Sequence, residues 1–560
     1  MISQGPPPPT ACPQSSDTYS TMGSVDVDDY LGPLRCDTET AHQLSHELLH
    51  TFKRLSAESL DQFLPTPIAE SILRPSHGQQ QGRYLAIDIG GTNLRVGFIE
   101  LPGSLEDNSS SDTQPDLSLS ASDTGPPHFS RRLERSWPIL EHLKSQTAEE
   151  LFEWIGACIV EVVQAGRDAF NYSQDDELPM GVTFSFPMIQ ETLSDAKLMT
   201  MGKGFAMPSD MDLATHLRNG YKASAPADLP RITVSAILND SVATLVSFIH
   251  QSQEHKAFKA AMGLIVGTGC NATIPLRDDT LHPSKKPSKI GVARSSRTGH
   301  ENIAVNTEWS INGTAPALKK FNLISSWDEE LDAAVEVPGF QPLEYMTAGR
   351  YLGELGRLIL LDYMTSHLGY TRDQVPVRLL QRFGLTTTFL SHFRPDRPDT
   401  NLIDSLEAEF PGSTAASAFT WTDELAHFLY RTAKAIEVRA AGIIAAAIVG
   451  LLACAGDVPL REPLEDKSNP QQQSEHVEAG PRILGVGYTG GCIMHFQDYL
   501  EDVEHFLALI LEKEFGKNPP VRIVLKPCHN GGITGAGVLC AASLQATSVS
   551  ATGAVAEEHV

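Results

Sequence analysis

The sequence predicts an α/β protein built as two lobes with a cleft between them. Two segments carry that prediction, AIDIGGTNLRV at residues 86–96 and GLIVGTGCNATI at 263–274. Each is an apolar strand, a glycine turn and a second apolar strand. The third observation is length, since 560 residues exceed what one hydrophobic core organises.

Along the chain, residues 1–24 are rich in Pro and Ser and are expected to form a disordered tail. A helical pattern follows in HQLSHELLHTFKRLSAESLDQF, residues 42–63, and the first strand pair begins at Tyr84. The stretches 103–128 and 461–481 are polar and low in complexity, so they predict surface insertions without chemistry. Between them, GIIAAAIVGLLACA at Gly442 to Ala455 is an apolar run too short for a bilayer and rich in small residues, which predicts a buried helix. RILGVGY at 482–488 is a further apolar strand. No repeat of 20–50 residues is present, which removes solenoids and propellers. The predicted larger lobe comprises residues 25–83 and 240–534. The smaller comprises 84–239 and 535–548, and 549–560 form a second tail.

A formal charge of −26 leaves no general basic surface for nucleic acid or anionic lipid, and 41% hydrophobic with 20% charged residues is a globular proportion. The eight cysteines show neither CxxC pairs nor close His partners, so they predict free thiols in a reducing compartment. The segment MISQGPPPPTACPQSS has no apolar h-region and almost no basic residues. A cytoplasmic protein without a membrane span is the expectation, with the nucleus as the alternative for a regulatory protein.

In the first glycine turn, Asp88, Gly90, Gly91, Thr92, Asn93 and Arg95 form DxGGTNxR. Paired glycines let backbone N–H groups turn toward an anion, and a carboxylate at the strand end can hold hydrated magnesium. Gly267, Thr268, Gly269 and Asn271 repeat that logic in the second turn. A lone GG between strands is most often only a tight hairpin. Two such loops, each opening a lobe, are the arrangement of the actin-like (ribonuclease H-like) ATPase fold. GxxxxGK[ST] is absent, so a P-loop is not supported.

Polar clusters stand between and after the loops: FSFP with Ser185 and Phe186, GKGF with Lys203, NDS with Asn239 and Asp240, NTEW with Glu308, and PGFQPLE with Gln341 and Glu344. Singly, each has an ordinary explanation. Asp after a strand is usually a helix cap, Ser between aromatics is usually core filler, and Glu344 fits a helix surface. Together and in order, DxGGTNxRV, FSFP, KGF, NDS, GTGCN, NTEW, PGFQPLE and GRYLGELGRLILL resemble the eukaryotic-type hexokinase family over roughly residues 40–545.

That resemblance implies an ATP-dependent phosphotransferase acting on the 6-hydroxyl of a hexose, with MgATP as cofactor. It implies a sugar pocket of Ser185, Phe186, Lys203, Asn239, Asp240, Asn271, Glu308, Gln341 and Glu344, because a hexose offers hydroxyls that carboxylates, amides and hydroxyls can pair. It places Asp240 as the general base. The nucleotide falls to the two glycine turns and to Thr489, and the metal to Asp88. The chain departs from the family at Gly202, where Thr precedes the lysine, and at Gly487 and Tyr488, where Asp-Gly is usual. The third departure is Ile533, which stands where a glycine does. These positions are expected on binding surfaces, so a hexokinase-like sugar sensor with little turnover is the alternative reading.

Overall fold

The computed structural model describes residues 26–70, 81–102, 129–144, 147–199, 207–252, 258–285, 301–395, 401–412, 419–460 and 481–557, the last of these without side chains beyond 545. The tail 1–24, most of both polar insertions and the GKGF segment with Lys203 lie outside the described residues.

Two separate sheets organise the chain. The smaller is formed by β2 (Gly82–Ile89), β3 (Asn93–Leu101), β4 (Ser130–Pro138), β5 (Glu177–Phe184) and β8 (Arg231–Leu238), in the order β4-β3-β2-β5-β8. The larger contains β1 (Leu64–Ala69), β9 (Phe258–Val266), β10 (Cys270–Arg277), β11 (Asn302–Asn306), β12 (Arg482–Thr489) and β13 (Val521–Pro527), in the order β1-β11-β10-β9-β12-β13. A two-residue hairpin of β6 (Met188–Ile189) and β7 (Lys197–Leu198) stands apart. Each sheet contains an antiparallel hairpin with a glycine turn, β2–β3 in one and β9–β10 in the other. Parallel strands complete both sheets, and these read as continuous apolar runs because helices cover both faces.

Local chemistry fixes the helices that flank the sheets. The helix Ala148–Phe170 starts at a capping box of Thr147 and Glu150 and stops at Asn171 in the left-handed region, satisfying backbone groups that a helix end leaves open. The helix Asp240–Gln251 starts where Asn239 caps it, immediately after β8. It packs between the large sheet and the helix Gly531–Glu557, which lies along β2, β3, β5 and β8 of the small one. These two helices form a third apolar cluster between the cores of the lobes, with Leu245, Phe248, Ile533 and Leu539 buried in it.

The apolar run at 442–455 proves to be the end of a longer helix, Asp423–Cys454. Among the described residues it is the one helix long and apolar enough to cross a membrane, yet 89% of its most apolar window is buried inside the protein. It packs against the helices Thr38–Glu58 and Tyr499–Phe515. Arg439 explains why this helix belongs to a packed core. Its fully buried guanidinium donates to both Asp328 oxygens at 2.6 and 2.9 Å and to Leu323 O at 3.0 Å. Removing Asp328 would leave a buried unpaired charge, a loss of about 3–5 kcal/mol.

Candidate active site

The two glycine turns face one cleft of about 280 Å³, and every described candidate residue lines it. From the small sheet come Asp88, Gly90, Gly91, Thr92, Asn93 and Arg95 of the β2–β3 turn, and Ser185 and Phe186 after β5. Asn239 and Asp240 stand at the start of the Asp240 helix. From the large sheet come Gly267, Thr268, Gly269 and Asn271 of the β9–β10 turn, Glu308 after β11, Gln341 and Glu344 of the short helix Pro342–Thr347, and Thr489 at the end of β12.

One half of the cleft is a web of amides and carboxylates. Asn271 Nδ2 donates to Asn306 Oδ1 at 2.8 Å and to Glu308 Oε1 at 3.2 Å, while Asn306 Nδ2 donates to the same Glu308 oxygen at 2.9 Å. Glu308 is held with φ at +44°, an uncommon conformation for a residue with a side chain, and its carbonyl is fixed by Gln62 Nε2 at 3.0 Å. Such strain persists where the surroundings over-determine it, as they do in functional sites. Glu344 Oε2 accepts from the Cys270 N–H at 3.0 Å, which ties the short helix to β10. Asn239, Glu308 and Glu344 are all buried, and buried polar groups are placed to be paired.

Asp240 gains its position from the helix start. Asn239 Oδ1 accepts from the Ser241 N–H at 2.9 Å and from the Ser241 hydroxyl at 2.8 Å, so the cap side chain is occupied with the turn. Ser241 is in turn locked to Thr273 Oγ1 at 2.7 Å, joining the helix to the large sheet. The Asp240 carboxylate is thus presented at the positive end of a twelve-residue helix, where a negative charge is favoured.

The other half is mostly backbone. The Gly90 N–H donates to Asn93 O at 2.9 Å, the Gly267 N–H to Gly269 O at 2.9 Å, and the Gly349 N–H to Gly267 O at 2.8 Å. Parallel pairing of β12 with β9 sets Thr489 opposite Ile265 and brings Gly490 against the second turn. Gly490 has φ at +125°, and a Cβ there would stand 2.2 Å from Val266 O, so the approach requires glycine.

Asp88 is the buried carboxylate of this half. Burial raises its pKa to about 7, with Asp240 and Glu134 adding to the rise and Arg95, whose Nη1 is 3.4 Å from Oδ2, opposing it. A buried carboxylate oxygen beside a second carboxylate, with one long guanidinium contact, is a hard-oxygen site that suits Mg²⁺.

Two family models, each describing hexokinase, match the chain over residues 26–250 and 261–542. The chain belongs to the hexokinase family. Its family places it among the sugar kinases, phosphotransferases that act on a hydroxyl. A hexokinase of Schwanniomyces occidentalis is 30% identical over 336 residues, 59% of this chain and 60% of that protein. Hexokinase-7 of Oryza sativa subsp. japonica is 26% identical over 475 residues, 84% of this chain and 86% of that one. The solved hexokinase from Schistosoma mansoni, complexed with glucose, matches with a TM-score of 0.67 at 22% identity, covering 92% of this chain and 98% of that one. The fold is the two-lobed actin-like ATPase fold of these hexokinases.

The structure corrects the expectation that the departures at Gly487, Tyr488 and Ile533 sit on binding surfaces; Gly202 lies outside the described residues. Ile533 is fully buried in the cluster between the lobes, pointing away from the cleft. Gly487 and Tyr488 lie within β12; Tyr488 is buried, and a Cβ at 487 would stand 2.4 Å from the Phe248 ring. Glycine there is a packing requirement of this hexokinase, and an aspartate could not be added without displacing Phe248. Sequence reasoning also missed Asn306, Gly490, Gly491, Asn530, Gly531 and Gly532. Asn306 had a signal, the first letter of NTEW. The others line the cleft but read locally as a strand end and a helix start.

Proposed function

We propose that this hexokinase transfers the γ-phosphoryl group of ATP to the 6-hydroxyl of a hexose, glucose first among them, and so feeds glycolysis in the cytosol. The observation that carries the proposal is the place of Asp240. It stands at a helix start in one cleft with the amide–carboxylate web on one side and two glycine turns on the other. Glucose is favoured because a related hexokinase of the same fold holds it. The free thiols of the seven described cysteines agree with a reducing compartment.

In the proposed reaction, Asn271, Glu308, Gln341 and Glu344 pair sugar hydroxyls, joined by Ser185 and, by family resemblance, Lys203. Because Asn306 already fixes Asn271 and Glu308, little ordering remains when sugar binds, and a sugar lacking a partnered hydroxyl would leave buried groups unpaired. Asp240 accepts the proton of the 6-hydroxyl as that oxygen attacks the γ-phosphorus. With the Gly90 and Gly267 N–H groups closing the turns, those of Gly91, Thr92, Thr268 and Gly269 hold the phosphates and stabilise charge as it moves to the leaving oxygen. Asp88 would hold Mg²⁺, which when bound neutralises phosphate charge. Closure of the lobes on sugar excludes water that would otherwise take the phosphoryl group.

Purified protein given glucose and MgATP should form glucose 6-phosphate and ADP in equal amounts, followed by phosphorus NMR. No sugar phosphate at saturating ATP from folded protein that binds glucose would contradict the proposal.

A further inference from the structure

Away from the cleft, two histidines of the helix Thr38–Glu58 meet a glutamate of the helix Tyr499–Phe515. His42 and His46 are one turn apart on one helix face, and their Nε2 atoms lie 2.8 and 3.0 Å from the same oxygen, Glu514 Oε2. The rings meet edge to face at 5.0 Å, so both turn their Nε2 edges toward the carboxylate. One ligand atom from each residue lies within 4.8 Å of the other two. The cluster is sheltered but reachable, with side chains 16%, 20% and 7% exposed.

We propose that His42, His46 and Glu514 bind a borderline divalent cation, Zn²⁺ being the type, which clips the two helices together and keeps one coordination position for water. Two imidazoles and one carboxylate are a donor set for zinc, whereas Mg²⁺ and Ca²⁺ select oxygen ligands. Ligand atoms about 2.0–2.1 Å from a tetrahedral ion stand roughly 3.3 Å apart. The Nε2–Oε2 separations would therefore open by about half an ångström, within reach of partly exposed side chains. Zn²⁺ takes neutral imidazole, so at each ring the Nε2 lone pair turns to the metal and the ring keeps its one proton on Nδ1. His42 Nδ1 is buried with no hydrogen-bond partner among the described residues. A ligating histidine usually donates that second N–H, and its lack sets the affinity about 10–100-fold below that of a fully supported site. Neither helix contributes a residue to the cleft, so the site is separate from turnover.

The test uses full-length protein stripped with a chelator and titrated with zinc sulfate by calorimetry, beside His46→Gln and Glu514→Gln. The wild type should show a one-equivalent component that each variant weakens at least about 10–100-fold, with MgATP-dependent sugar phosphorylation unchanged. Identical isotherms for all three proteins would overturn the proposal. Circular dichroism checks that the variants fold. Should they not, the wild-type spectrum with Co²⁺ decides. Visible d–d bands without a sulfur-to-metal charge-transfer band support nitrogen and oxygen ligands at this site. A thiolate band, or no band, contradicts it.

Discussion

The half of the cleft proposed to hold sugar and the half proposed to hold phosphate are built by different means. On the sugar side, Asn271, Asn306 and Glu308 are fixed side chain to side chain, so the identity of each residue decides what the pocket accepts. On the phosphate side the cleft is made largely of backbone from distant segments, the turns at 90–92 and 267–269, the strand end at 489–491 and the helix start at 530–532. There the path of the chain matters more than the letters. A letter that differs from relatives in the sugar web should change binding, and one on the phosphate side should act first through packing.

Replacing the family departures breaks or sharpens that contrast. Ile533→Gly empties a fully buried site and adds a helical glycine, so it should cost about 3–5 kcal/mol in urea unfolding while leaving the KM for ATP unchanged. Gly487→Asp drives a polar group into the Phe248 ring and should cost about 2–6 kcal/mol. A lower KM for ATP in either variant, with stability kept, would return these positions to the binding surface.

Asp88 gives the next largest effect, and its sign is opposite for stability and for activity. Its folded pKa, about 7, is raised above the ordinary carboxylate value, so between pH about 4 and about 7 the native state binds more protons than the unfolded one and stability falls as pH rises. Asp88→Asn mimics the protonated form. Without nucleotide or metal it should match the wild type below pH 4 and become more stable as pH climbs, by up to about 4 kcal/mol above pH 7, while turnover collapses. Equal melting temperatures at pH 8 would show that burial does not penalise this carboxylate.

The smallest of these effects probes the web without touching the general base. Asn306→Ala removes the amide that orders Asn271 and Glu308, and should weaken glucose by about 1–3 kcal/mol in calorimetry with little change in the affinity for ATP.

The same contrast explains what could be read from the sequence. DxGGTNxR and GTGCN were legible because a glycine turn between two apolar strands is a local pattern, and the residues proposed to hold sugar were legible as members of the cleft through the family's ordered motifs. Gly490 and Gly532 were not, because only the pairing of β12 with β9 and the course of the Gly531 helix bring them to the cleft. Ile533 misled for a related reason. Its side chain takes the helix face turned to the core, a fact of three-dimensional phase that one letter among glycines does not reveal. The apolar run at 442–455 was recognised as buried, but its helix begins nineteen positions earlier in a polar stretch, where Arg439 and its partner Asp328 lie far apart in sequence.

The central claim is that Asp240 supplies the base while its neighbours hold the sugar. Glucose affinity and turnover measured together on Asp240→Ala test it most directly. The account predicts a fall of about 10²–10⁴ in kcat, with the affinity for ATP little changed and glucose still bound. Turnover within a few fold of the wild type in the folded variant would contradict it.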